Sequence, residues 1–374
     1  MSRRPDVLST RALNRALLAR QLLLRRSART PAEVIEHLVG LQAQVPNSPY
    51  LALWTRLRRF RHDELTQLLL RRRVVRLALM RSTIHLVTAR DALVLRPLVQ
   101  PVLTRALRGS FGRLLAGIDQ DALARAARAI VDEEPRTLND VGARLRGRWR
   151  GRDPFALGHA ARAFVPLVQV PPRGVWGDAG TPALASIEQW LGRRLAARPS
   201  IDKIVLRYLA AFGPASVRDA QVWSGLTALG EAFDRLRPHL RAFRSDGGPE
   251  LFDLPGAPRP HADVAAPPRF LPEFDNVLLS HVDRSRIVPE AHRRAVFASA
   301  GLMAGTVLLD GFVGARWPLK RTRRETTLTI APWAALAAHD RAEALTEGER
   351  FLAFIDPSAA SHDVRIVRGA FPKP

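Results

Sequence analysis

Residues 63–94, DELTQLLLRRRVVRLALMRSTIHLVTARDALV, open with leucines at helical spacing and continue into a β-rich stretch over 81–87. The residues before them decide how that change is read. STRALNRALLARQLLLRR (9–26) offers Ser9 as a helix cap ahead of regularly spaced leucines. In RTPAEVIEHLVGL (29–41), Thr30 caps, Pro31 takes the first helical position and Glu33 completes a capping box. Gly40 loosens that helix and Pro46 forbids its continuation, which predicts an end near Leu41. NSPYLALWTRL (47–57) restarts a helix with Ser48 as cap and Pro49 in the first turn. Three helices followed by strands is the order of a winged helix.

The order recurs. PRTLNDVGARLRGRWRGRDPFALGHAARAF (135–164) gives two short helices, and VPLVQVPPRGVWG (165–177) gives two β segments around Pro171-Pro172-Arg173-Gly174, a wing-like hairpin. A third unit starts at SIDKIVLRYLAAFGPASVRDAQVWSGL (200–226), where Phe212-Gly213-Pro214 turns and Ser216 caps the next helix. ALGEAFDRLRPHL (228–240) is its partner helix, and RAFRSDGGPELFDLP (241–255) closes the unit around Asp246-Gly247-Gly248. PGAPRPHADVAAPPRF (255–270) is a proline-rich linker. Beyond it, GTVLLDGFVGARWPLKR (305–321) is a hairpin turning at Asp310-Gly311, TTLTIAPW (326–333) is a strand, and 334–355 is a terminal helix. The expected fold is α+β, mostly α: winged-helix (helix-turn-helix) units at 1–115, 116–198 and 199–262, around a β-rich, barrel-like or curled-sheet domain at 263–374.

Composition narrows the chemistry. Lys+Arg number 58 against 35 Asp+Glu, a net charge of +23 over 374 residues. Such an excess suits a polyanion, because cation–phosphate contacts release counterions from nucleic acid. Only Lys203, Lys320 and Lys373 are lysine, so the arginine excess also carries the mark of a GC-rich genome. With no cysteine, disulfides, a Cys nucleophile, zinc ribbons and iron–sulfur clusters are excluded. No signal core or membrane-length apolar run occurs, so a soluble, cytoplasmic, nucleoid-associated protein is expected. The P-loop and the G-x-S-x-G elbow are absent as well. His281 and His292 stand near Asp275 and Asp283 at no metal-binding spacing, so neither a metal nor a cofactor is expected. Glu273, Asp275 and Asp283 could do acid–base work, but pairing with Arg284 and Arg286 or capping turns is the plainer reading.

That leaves Gln42 and Gln44. On a regular helix they would project roughly 200° apart, but on an extended exit residues i and i+2 share a side. The stop at Pro46 favours such an exit, so the two amides can converge; the bland alternative is that they bond a helix terminus. Arginine is densest at Arg71, Arg72, Arg73 and Arg76, at 144–152, and at Lys320, Arg321, Arg323 and Arg324 beside Arg316. Each run is a candidate phosphate contact or a solvated face. Trp317 and Phe312 read as core.

HLVGLQAQVPNSPYLALWTRL, MRSTIHLVTARD, PLVQVPPRGVWG, YLAAFGPASVRDAQVWSGL, LPEFDNVLLSHVDRSRIV and LLDGFVGARWPLKR together resemble the winged-helix DNA glycosylases of the AlkZ-like family, in the same order. The resemblance implies tandem winged helices around a β-barrel with a concave DNA-binding face. It also implies excision of N7-alkylated purines, interstrand crosslinks included, in repair or in self-resistance to a genotoxic metabolite. Its catalytic Gln-x-Gln element matches Gln42-Ala43-Gln44; the YcaQ-like sister branch has Asp in the second place. The rival reading is a non-catalytic winged-helix regulator, or a lesion binder that does not cut. A regulator would pair as a dimer on a palindrome, whereas no dimerisation helix is evident and a monomer is expected.

Overall fold

The computed structural model of the protein describes residues 6–178, 180–297, 305–322 and 325–367. The first segment runs β1 (Asp6–Leu8), α1 (Thr10–Arg20), α2 (Pro31–His37), β2 (Leu41–Gln42), α3 (Ser48–Arg56), α4 (His62–Leu70), β3 (Val74–Ala78), β4 (Ile84–Thr88), α5 (Ala89–Leu98) and α6 (Gln100–Phe111). Ser9 caps α1, and Thr30 with Glu33 forms the capping box of α2. Three details differ from expectation. Helix α2 stops at His37, because Val39 and Gly40 both turn to positive φ. A Cβ on Gly40 would sit 2.5 Å from Val87 Cγ1, so only glycine lets β2 close on β4. Asn47, not Ser48, takes the cap position of α3, and Ser48 donates its hydroxyl to Glu273 at 3.0 Å. The β structure begins at Val74, well before residue 81: Arg72 at φ 56 breaks the chain out of α4, and all of β3 is buried.

The second segment runs α7 (Gln120–Glu133), β5 (Arg136–Thr137), α8 (Leu138–Arg148), α9 (Pro154–Phe164), β6 (Leu167–Gln169), β7 (Ala183–Ser186) and α10 (Ile187–Leu191). Its second hairpin strand is therefore β7, not the turn-forming 175–177. The third runs α11 (Ile201–Phe212), α12 (Val217–Ser224), α13 (Gly230–Leu236), β8 (Arg241–Ser245) and β9 (Glu250–Asp253). The first two segments share one order, helix, short strand, two helices, then two strands, and the third follows it with a single bridge in place of the short strand. In each, that short element pairs antiparallel with the last strand: β2 with β4, β5 with β7, and the single bridge at Ala215 with Phe252 in β9. Pairing of β3 with β6 merges the first two sets into one sheet, β2-β4-β3-β6-β7-β5. Strand β1 instead joins β8, and Arg20 of α1 meets Asp253 through two buried contacts of 2.6 and 2.7 Å, so the chain start packs on the third segment.

The linker has no regular element, but Arg15 and Arg20 donate to the carbonyls of Val264 and Pro258 and pin it down. Next come β10 (Arg269–Leu271), α14 (Asn276–Leu279), α15 (Glu290–Phe297), β11 (Thr306–Leu309), β12 (Phe312–Arg316), β13 (Leu319–Arg321), β14 (Glu325–Pro332), α16 (Ala338–Ile355) and β15 (Ser361–Ile366). Strands β12 and β13 keep one antiparallel register against β14, with Thr329 N donating to Pro318 O between them. They form a single strand interrupted at Trp317. Its indole is buried and donates to Leu271 O at 2.8 Å, the core role expected for it; Phe312 is half-buried. Strand β15, unforeseen in the sequence, adds parallel to β14. Among the described residues β10 and β15 do not pair, so the sheet is open and curled rather than a closed barrel. The architecture is α+β, and no described helix is long and apolar enough to cross a membrane.

Candidate active site

Gln42 leaves α2 on β2, with Leu41 and Gln42 paired to Leu86 and His85 of β4. Ala43 continues the ladder by donating to Ile84 O at 2.7 Å, and Gln44 comes next, at the surface. The exit is extended, as its sequence suggests. Both amide oxygens then meet donors from one short stretch. Gln42 Oε1 accepts from Arg81 Nη2 at 2.6 Å, and Gln44 Oε1 accepts from Ile84 N at 3.3 Å. Gln42 is only 6% exposed, whereas Gln44 is exposed. The pair is thus asymmetric: one carboxamide is held by a short charge-assisted bond, the other by a long neutral one.

Three residues of the LPEFDN stretch hold this loop from behind. Glu273 accepts from Ser48, Asp275 grips Arg56 through two bonds of 2.7 and 2.8 Å, and Asn276 Nδ2 donates to Gly40 O at 2.8 Å. Asn276 Oδ1 also lies 3.4 Å from Gln42 N. Arg76, expected on DNA phosphates, is 2% exposed and has a different place: its Nη2 donates at 2.7 Å to the carbonyl of Ala43, between the glutamines. Gly174 at φ 91 packs flat on its stem. Burial, then the neighbouring Arg173, lowers the Arg76 pKa to about 10. Arg81 is likewise lowered to about 10, by burial and then Arg284. His85, opposite Gln42, is lowered to about 3 by burial and then Arg81. At neutral pH two guanidinium cations and a neutral imidazole therefore surround the glutamines.

Of the remaining cations, Arg71 and Arg73 are exposed at the end of α4; Arg72 stacks over Trp190 at 3.9 Å and donates to its carbonyl. Lys320 is exposed, Arg316 is half-buried, and Arg321 reaches back to Asp356 at 3.6 Å. Arg323 and Arg324 lie outside the described residues. The run at 144–152 is largely surface, with Arg152 turned back to Ala116 O. The carboxylates serve structure: Asp275 pairs with Arg56 rather than Arg284 or Arg286, and Asp283 accepts from Ser285. His281 is buried against Phe212 O, and His292 bonds Val313 O. Among the described residues no three or more His, Cys, Asp or Glu side chains gather as a metal site would need. Arg81, Arg56 and Asn276 went unnoticed in the sequence. Arg81 sits in the MRSTIH stretch, but its φ of 54 belongs to a turn that no Gly or Asn announces.

A loop braced by buried cations carries the two neutral amides, Gln42 and Gln44. The chain belongs to the AlkZ-like DNA glycosylase family, whose model matches residues 35–354. Its fold is similar to that of the DNA glycosylase AlkZ of Streptomyces sahachiroi, with a TM-score of 0.76 and 21% identity over 96% of this chain and 100% of that one. Curated protein sequences give no match. Family membership makes DNA the partner and DNA repair the setting.

Proposed function

We propose that this glycosylase is monofunctional and hydrolyses the N-glycosidic bond of N7-alkylated purines in duplex DNA, acting as a monomer. The observation that carries the proposal is the pair Gln42–Gln44 beside a neutral His85, with no carboxylate among the described residues bonded to either amide. Alkylation at N7 makes the base a cation, so it departs without being protonated. Water oxygen bonds to C1′ as the C1′–N9 bond breaks; the electron pair neutralises the purine ring, and the water's proton passes to solvent. What such a reaction needs is a placed water and a dipole aimed at the oxocarbenium-like sugar, which amides supply. A strong general base adds less here than for an unmodified nucleoside.

The shared element order supports reading 1–115, 116–198 and 199–262 as winged-helix units around 263–374, with Arg71, Arg72, Arg73, Lys320 and, beyond the described residues, Arg323 and Arg324 directed at phosphates. Exposure of Gln44 favours bulky lesions, crosslinks among them, because a base tethered to both strands cannot flip into a deep pocket. The test is a duplex carrying one N7-methylguanine or a bulkier N7 adduct, incubated with protein and heated in alkali. Strand breaks at the adduct are expected. Gln42→Ala with Gln44→Ala should slow release on the order of 100-fold or more, leaving salt-dependent affinity unchanged. Intact DNA with tight sequence-specific binding would favour a regulator instead.

A further inference from the structure

We infer that Arg81 is a positioning residue that fixes the Gln42 carboxamide as a hydrogen-bond donor toward the DNA and leaves the accepting role to Gln44. The inference rests on the glycosylase reading above and assigns the two glutamines different tasks within it. A guanidinium has donors only, so the atom of Gln42 that faces Arg81 at 2.6 Å must be its oxygen. The flip of this amide is therefore set by chemistry. Its Nε2 makes no hydrogen bond to any described residue and is left to donate. Gln44 is held more loosely: it is exposed, and its oxygen accepts one long bond from Ile84 N, which leaves a lone pair for water.

Arg81 is itself held from elsewhere. Its Nη1 donates to the carbonyl of Trp223 in the last turn of α12, a helix end that favours a cation. Gly225, at φ 79, caps that helix. A Cβ there would lie 3.2 Å from Arg81 N and 2.9 Å from Val102 Cγ1, so glycine admits the close approach. The Gln42 amide on β2 is thus oriented through Arg81 by the third segment. Burial keeps Arg81 short of water without discharging it at neutral pH.

The test is a double-mutant cycle read by single-turnover release of N7-methylguanine from duplex DNA, with affinity measured alongside. Arg81→Met should slow release on the order of 100-fold with affinity unchanged. In a Gln42→Ala background it should cause no further loss, because its effect passes through Gln42. The side-chain NH2 resonance of Gln42 in a proton–nitrogen correlation spectrum should shift in Arg81→Met. Should that variant not fold, Arg81→Lys, which keeps the charge but cannot grip both oxygens, enters the same cycle. Losses that multiply, or an unmoved Gln42 resonance, would overturn the inference. If the wild type releases no base, the glycosylase reading fails, while the resonance still decides whether Arg81 clamps Gln42.

Discussion

Strands β2 and β5 hold the same place in two copies of one element order, yet the chain leaves them by different routes. From β5 it enters α8 at once: Thr137 ends the strand and caps the helix, accepting from Asp140 N at 3.2 Å. Arg136 is fenced by Glu133, Glu134 and Asp140 at 3.5, 2.8 and 3.2 Å. From β2, residues 43–47 intervene before α3, and no carboxylate pairs within them. The cations lie beneath this loop instead, with Arg76 on Ala43 and Arg56 locked to Asp275. One architecture closes its loop with surface ion pairs. The other braces it with buried cations, one paired to Asp275 and one bonded to a backbone carbonyl, and keeps its outer face neutral.

If buried ion pairs carry the first loop and surface pairs merely decorate the second, then removing one acid from each should give unequal costs. Arg56 and Asp275 are both essentially unexposed. Asp275→Ala would strand a buried guanidinium and should cost about 3–5 kcal/mol in a urea unfolding series. Asp140→Ala removes an acid that is 44% exposed, and its pairs should be worth about 1 kcal/mol or less. Equal losses would erase the distinction.

Acidification should separate the same regions next. His62 and His85 are lowered to about 4 and about 3, chiefly by burial, and His281, lowered to about 3, stands in the segment bracing the loop. The second segment has only His159, lowered in the same sense but half-buried and stacked on Phe111. Each fold-lowered imidazole makes the unfolded chain bind more protons between the folded value and the ordinary one near 6.5. Their stability contribution is complete above about pH 6.5 and is lost as pH falls toward 3. Hydrogen exchange at pH 7 and pH 4.5 should show β2–β4 losing protection before β5–β7. Uniform loss would sink this reading.

Legibility in the sequence divides along the same line. Helix starts were legible because caps are local: Ser9, Thr30 with Glu33, and Ser216 behave as their spacing suggests. The extended exit at Gln42–Gln44 was legible because Pro46 forbids helix. Illegible were the contacts made at long range. Arg76 sits in an arginine run that looks like surface, yet its strand lies mid-sheet between β4 and β6. Arg81 bonds a residue 39 positions away, and Asp275 one 219 positions away. Charge runs report composition; only pairing order tells which members of a run turn inward. The wing expected at 175–177 failed for a related reason, since β6 finds its partner after a long turn rather than a tight one.

The smallest effect concerns the second loop alone. Thr137→Ala removes the hydroxyl that accepts from Asp140 N and should lower stability by about 1 kcal/mol. The loss should appear as a reduced urea midpoint with an unchanged slope, because the helix frays without changing the surface exposed on unfolding. Release of N7-methylguanine should be untouched, since β5 faces Ala183 and Leu184 and contributes no amide to the glutamine site. A slowed release in this variant would mean that the joint sheet, continuous through β3 and β6, transmits strain from one loop to the other. The two copies would then form one catalytic unit, and their difference in construction would lose its functional meaning.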